Sequence, residues 1–225
     1  MSSKVIRFYK EKAYFSDSCN GQFIMARAAC IVLRYVDNGE TYTLTIRERA
    51  DKDIVEFPGG KVEVGDTDIY DTVFREIWEE IILKDKLGAG NNKYLKNWAK
   101  IRKDIVESKD TDETICHDIY KKLTLSKMIP YGSCALKIVY FVINISLDEA
   151  KHLISAHNMI PIPISIIKHV VDYNNAKKGR GILTTYTSKN SPAYKRKNTN
   201  FYSGGEVYKL RGRDFEGMFR FSKLL

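Results

Sequence analysis

The chain has 225 residues, of which 44% are hydrophobic and 29% charged, and its formal net charge is +9. That is enough apolar material for a core, so a disordered chain is excluded, and the length fits one large domain or one domain with additions. No run of about 18 apolar residues offers a membrane span, and Met1-Ser2-Ser3-Lys4-Val5-Ile6-Arg7 lacks the apolar centre of a secretory signal; a cytoplasmic protein with no membrane partner is expected.

Residues 22–36 are rich in apolar and β-branched types and read as a strand. Asn38-Gly39 breaks it, and Thr41–Arg47 alternates as the return strand of a hairpin. Ile54–Phe57 is a short extended piece stopped by Pro58 and two glycines. From Asp68 to about Leu83 apolar residues recur in i, i+4 pairs, which predicts a helix capped by Thr67 or Asp68. Residues 84–130 are polar and weakly periodic, with a loose strand pattern over 95–106 and a helical one over 113–123. Ala135–Asn144 reads as a buried strand. Ser146-Leu147-Asp148-Glu149 has the capping-box spacing that opens a helix, and 164–173 offers another. Gly204-Gly205 marks a turn in the tail.

Four cysteines stand at 19, 30, 116 and 134, and no pair has the CxxC spacing of a zinc ribbon or redox motif. Free thiols in a reducing compartment are expected. His117, His152, His157 and His169 have no metal spacing either. From Lys177 onward there are twelve Lys or Arg against three Asp or Glu, an excess equal to the whole net charge. Such a tail suits contact with a polyanion, RNA included, or a solvated basic surface.

Chemistry concentrates in one place. Glu76, Glu79 and Glu80 share a helical face at i, i+3 and i+4, and the apolar rows centre on the other side. Like charges at this spacing destabilise a helix, and a divalent cation removes that cost. Arg75 stands four before Glu79 and can orient a carboxylate, while Gly59-Gly60 lets backbone approach closely. Hard oxygen donors of this kind suit Mg²⁺ or Mn²⁺, and the matching chemistry is hydrolysis of a phosphoanhydride. Taken without the glycines and the arginine, Glu-x-x-Glu-Glu is a solvated acidic helix face.

Glu56-Phe57-Pro58-Gly59-Gly60-Lys61-Val62-Glu63 followed by Arg75-Glu76-Ile77-Trp78-Glu79-Glu80 resembles the signature of the Nudix hydrolases, G-x5-E-x7-R-E-U-x-E-E-x-G-U with U aliphatic. The box runs over residues 60–83. The resemblance implies an α/β/α sandwich around a mixed sheet, formed by residues 1–225 as a single domain with a polar insertion around 84–130 and a basic extension around 177–225. It implies Mg²⁺-dependent cleavage of a nucleoside diphosphate linked to another moiety. By the same resemblance Gly59 would offer its carbonyl to the metal, Glu79 and Glu80 would be ligands, and Glu76 would be a ligand or general base. Arg75 would hold these glutamates, and Gly60 begins the box.

Three departures stand out. The first acidic position is Asp66, with one extra residue between it and Arg75; in the family this acid braces the arginine. Ile82 replaces the later glycine, so the helix is expected to run on. The further carboxylate that many members supply from a later loop has candidates in Glu113, Asp148 and Glu149, of which Glu149 also reads as a cap. For the substrate, Arg47 and Arg49 could meet phosphate. Phe23, Tyr35 and Tyr42 could line a base pocket, although strand aromatics are usually core. Tyr194 to Tyr202 interleaves cations with aromatics, which suits single-stranded nucleic acid and points to a decapping-like RNA hydrolase as the alternative. A non-catalytic nucleotide- or RNA-binding module is the third reading.

Overall fold

The computed structural model describes residues 5–9, 12–19, 22–47, 54–63, 65–66, 68–82, 110–126, 129–131, 136–165, 199–203 and 206–210. The fold is α/β, and it divides into two compact units: Met1–Leu33 with Pro58–Ile145, and Arg34–Phe57 with Ser146–Leu225. Among the described residues no helix is long and apolar enough to cross a membrane.

In the first unit, β1 (Val5–Tyr9) pairs antiparallel with β2 (Lys12–Cys19), and β2 with the start of β3 (Gln22–Asp37). These two leading strands precede the first strand expected from the sequence. Asn20-Gly21 between β2 and β3 is the same two-residue signal as Asn38-Gly39 and would have pointed to them. Further along β3, the short β6 (Gly59–Lys61) pairs antiparallel in the register Ala28↔Lys61, Ala29↔Gly60, Cys30↔Gly59. Ile31 N–H to the Pro58 carbonyl (2.9 Å) and Val62 N–H to the Arg27 carbonyl (3.0 Å) extend this pairing at both ends. β7 (Ile129–Tyr131) joins β8 (Leu136–Asn144), which also pairs with β3.

Helix α1 (Ile69–Ile77) starts as expected at Asp68, whose side chain accepts the Asp71 N–H at 2.9 Å. It packs on β6 and on α2 (Thr111–Leu125), which in turn packs on β8. Phe74 packs edge-on against Tyr120 (5.3 Å between centroids) and Tyr70 meets Phe141 (5.5 Å), so aromatic contacts tie α1 to α2 and to the sheet. After Ile77 the helix does not stop. It widens into a π turn, Trp78–Ile82, in agreement with Ile82 standing where a helix-ending glycine was absent. The wider turn leaves Glu79 and Glu80 half-exposed while Ile81 and Ile82 are buried. Cys30 and Cys116 are buried and in no disulfide, and burial pushes the Cys116 thiol well up, which keeps it unreactive.

In the second unit, the end of β3 turns through Asn38 (φ 48°) and Gly39 (φ 80°) into β4 (Glu40–Arg47). Both central residues have the positive φ that a two-residue hairpin requires. β4 is the expected return strand, and Thr43, Leu44, Thr45 and Ile46 in it are all buried. It pairs antiparallel with β5 (Ile54–Glu56) and with β9 (Ile160–Pro163), and the Thr45 hydroxyl donates to the Ile160 carbonyl at 3.0 Å. β5 pairs parallel with β11 (Glu206–Leu210), and β11 antiparallel with β10 (Thr199–Ser203), so the pairing here is mixed. Part of the basic tail is therefore strand. Helix α3 (Leu147–His157) opens on the expected capping box, Glu149 N–H to the Ser146 hydroxyl and Ser146 N–H to the Glu149 carboxylate, and ends at Asn158 in the left-handed conformation. The patterns at 95–106 and 166–173, and Gly204-Gly205, lie outside the described residues.

Candidate active site

Two glycines set the floor of the site. Gly59 has φ +147°, and a Cβ there would fall 2.3 Å from the Ala29 carbonyl oxygen and 2.5 Å from Cys30 Cα. At Gly60 a Cβ would fall 2.1 Å from Glu76 Oε1 and 2.4 Å from its carboxyl carbon. The absence of both side chains lets β6 lie against β3 on one side and lets the Glu76 carboxylate rest on the strand itself.

Arg75 organises what lies above that floor. Its side chain is 2% exposed. Nε and Nη2 hold Asp66 in a fork, at 2.9 Å to Oδ1 and 3.2 Å to Oδ2. Nη2 also donates to the Lys61 carbonyl at 2.7 Å. Nη1 donates to Glu76 Oε1 at 2.8 Å and to Glu79 Oε2 at 3.4 Å, with Glu63 at 3.8 Å. Burial works against the guanidinium's charge, but the Asp66 hydrogen bond and the surrounding carboxylates outweigh it and raise its pKa. Asp66 is held from two further sides, by the Glu63 N–H (2.9 Å) and the Thr72 hydroxyl (2.7 Å). The extra residue ahead of Arg75 therefore costs the brace nothing: the shorter Asp66 still reaches the arginine.

Glu80 is tied to the glycine turn, its Oε2 accepting the Gly59 N–H at 2.9 Å. Glu76, Glu79 and Glu80 thus converge with Gly59, Gly60 and Arg75 inside the first unit. One detail departs from the helical-face reading. Glu76 does not point to water; it is 9% exposed, wedged between Gly60 and Arg75. Burial pushes its carboxyl up to about 7, despite the downward pull of Arg75, with Glu80 and Glu79 adding to the rise. Glu79 is shifted up as well, by burial first and by Glu63 after the opposing Arg75.

The other sequence candidates are not part of this cluster as the structure describes it. Arg47 ends β4 in the second unit, and Arg49 lies outside the described residues. Asp148 and Glu149 open α3 in the second unit, and Glu149 serves as a cap. Glu113 lies in the first turn of α2, its N–H bonded to Asp110. Tyr35 and Tyr42 stack on each other (5.3 Å), and Tyr35 is buried, its hydroxyl pushed up to about 12 by that burial. Phe23 lies in β3. Thr72 was not singled out from the sequence, although it stands three residues before Arg75 on the same helical face.

No curated protein matches the chain. A solved structure similar to it is a mutT/nudix family protein from Listeria innocua, at 12% identity over 69% of this chain and 84% of that one, with a TM-score of 0.34. The family model for the NUDIX domain matches residues 25–117, a stretch that contains both glycines and all three glutamates. Residues 25–117 therefore carry a NUDIX domain.

Proposed function

We propose that the chain is a Mg²⁺-dependent hydrolase that splits a phosphoanhydride bond in a nucleoside diphosphate linked to another moiety. The observation that carries this reading is the buried Arg75 gathering Asp66, Glu76 and Glu79 beside a Glu80 tied to the glycine turn. A surface acidic helix would not bury its arginine or wedge a carboxylate against a glycine.

The donor set fits a hard cation. Glu76, Glu79 and Glu80 offer carboxylate oxygens, Gly59 offers a backbone carbonyl, and the missing Cβ at Gly60, which would fall 2.1 Å from Glu76 Oε1, leaves room for that carboxylate. Oxygen-only donors favour Mg²⁺ or Mn²⁺ over softer ions. When bound, such an ion would neutralise charge on the phosphate oxygens and acidify a water. Arg75 would fix the glutamates' rotamers, and Glu80 would be aimed by its hydrogen bond to Gly59. Burial raises the Glu76 carboxyl to about 7 in the metal-free chain, which suits transient acceptance of a proton from attacking water. The reading includes intracellular location and takes residues 1–225 as a single Nudix domain, with the polar insertion around 84–130 and the basic extension around 177–225 as elaborations.

The test is a hydrolysis panel in Mg²⁺: nucleoside triphosphates, ADP-ribose, dinucleoside polyphosphates, NADH and capped RNA. Wild type is expected to release a phosphorylated product from at least one, and Glu80→Gln to lose that turnover while keeping its far-ultraviolet dichroism. Wild-type rates in Glu80→Gln would overturn the reading. The interleaved cations and aromatics of 194–202 favour RNA as the second substrate class. Point substitution of Lys195, Arg196 and Lys197 tests this better than truncation, because residues 199–210 supply two strands.

A further inference from the structure

We infer that Arg27 is the residue that receives the substrate's diphosphate, at the edge of the carboxylate cluster; this rests on the phosphoanhydride reading above. The argument starts from strand register. Residues directly opposite in an antiparallel pair project to the same face of the sheet, and successive residues alternate. Ala29 faces Gly60, and the Cβ direction at Gly60 leads straight to the Glu76 carboxylate. The face that carries Ala29 is therefore the one that α1 covers. Arg27 is two residues before Ala29 and belongs to that face; its carbonyl takes the Val62 N–H opposite it. Lys61, the other exposed cation on these two strands, pairs with Ala28 and belongs to the opposite face.

Along this face Ala29, Ile31 and Leu33 are fully buried, whereas Arg27 is exposed. Among the described residues of this face the apolar cover gives way at Arg27. A diagonal pair of this kind stands about 7–8 Å apart, its Cβ positions somewhat closer, which is within the reach of an arginine side chain from position 27 to groups held over Gly60. Among the described residues Arg27 makes no ion pair or side-chain hydrogen bond, so none of them takes up its five donors.

Charge supplies the second half. Asp66, Glu76, Glu79 and Glu80 set four carboxylates against the single guanidinium of Arg75, which is already saturated by Asp66, Lys61 and two glutamates. An incoming diphosphate adds further negative charge and calls for a further cationic side chain beside any ions the carboxylates would hold. An exposed arginine with a planar fork is the side chain suited to phosphate oxygens.

The experiment is calorimetric titration of the full chain with Mn²⁺ alone, then with methylenediphosphonate, a diphosphate that cannot be hydrolysed, at saturating Mn²⁺. Arg27→Ala is expected to bind Mn²⁺ within twofold of wild type and methylenediphosphonate about tenfold or more weakly. Arg27→Lys should recover part of that loss, and Lys121→Ala, an exposed cation on α2, should match wild type in both titrations. Wild-type affinity for methylenediphosphonate in Arg27→Ala overturns the inference. So does a wild-type chain that binds Mn²⁺ but not the diphosphonate, with the metal reading left standing. A wild-type chain that takes up no Mn²⁺ overturns both.

Discussion

Helices α1 and α2 lie against each other in one unit and follow opposite rules. Helix α2 buries Ile115, Cys116, Ile119 and Leu123 along one stripe and leaves its charges in water, where Lys121 and Asp118 stand 3.8 Å apart with more than 40% of each side chain exposed. Helix α1 buries Asp71, Thr72, Arg75 and Glu76 beside its apolar residues. An amphipathic helix gains from local propensity and one packed stripe. A helix with buried charges is stable only when every charge has its partner in place, since an isolated one costs several kcal/mol. The difference teaches where the molecule gives up stability for function: the helix that breaks the pattern is the one that carries the site.

The sharpest way to break this comparison is Arg75→Met. It strands Asp66 and Glu76 as buried, uncompensated carboxylates, and unfolding in urea at pH 8 should show a loss of about 3–5 kcal/mol. A loss below about 1 kcal/mol would place Arg75 on a par with the exposed pair of α2 and end the contrast.

Next in size is Glu76→Gln, which acts through pH. Burial lifts the Glu76 carboxyl from 4.5 to about 7. The folded chain therefore holds this proton more tightly than the unfolded chain. Its contribution to stability is fully present below about pH 4.5 and is lost as pH rises through about 7. Without divalent cations, Glu76→Gln should match wild type near pH 4.5 and exceed it above pH 7, by roughly 3 kcal/mol. Urea midpoints at pH 5 and pH 8 in chelator measure this. A variant less stable than wild type at pH 8 would mean that the charged carboxylate is welcome in its apo surroundings.

Smaller effects belong to α2. Asp110 caps it, accepting the N–H groups of Asp112 (2.9 Å) and Glu113 (3.2 Å). Asp110→Ala should cost about 1 kcal/mol by the same urea assay, the ordinary worth of a cap. Lys121→Ala should change stability by less than about 0.5 kcal/mol, because solvent screens an exposed pair. A larger loss there would show that α2 relies on its charges too.

Much of the helix and strand framework was legible because local chemistry and tertiary context agree. Asn38-Gly39 permits a two-residue turn, Asp68 and Ser146 cap the helices that follow them, and the pattern from 113 to 123 falls inside α2. The leading pair of strands went unread because their alternation is interrupted by charge, and only pairing with β3 gives them a place. The return strand β4 was legible from its alternation, but its burial was not: Thr43 and Thr45 are covered as fully as Leu44, which only tertiary packing decides. At the site, the residue types and spacing of Arg75, Glu76, Glu79 and Glu80 were evident from the chain.

By itself the sequence determined the inventory: a glycine pair with no side chains to obstruct approach, an arginine, and three carboxylates at helical spacing. Those are local properties, set by backbone freedom and by 3.6 residues per turn. Tertiary structure alone decided that Glu76 is buried and held near neutrality, because desolvation depends on what covers a group and not on its neighbours in the chain. It also decided that Arg27 shares a sheet face with the carboxylates while Lys61 does not. That outcome rests on a register between β3 and β6, and shifting a register by one residue exchanges the two faces.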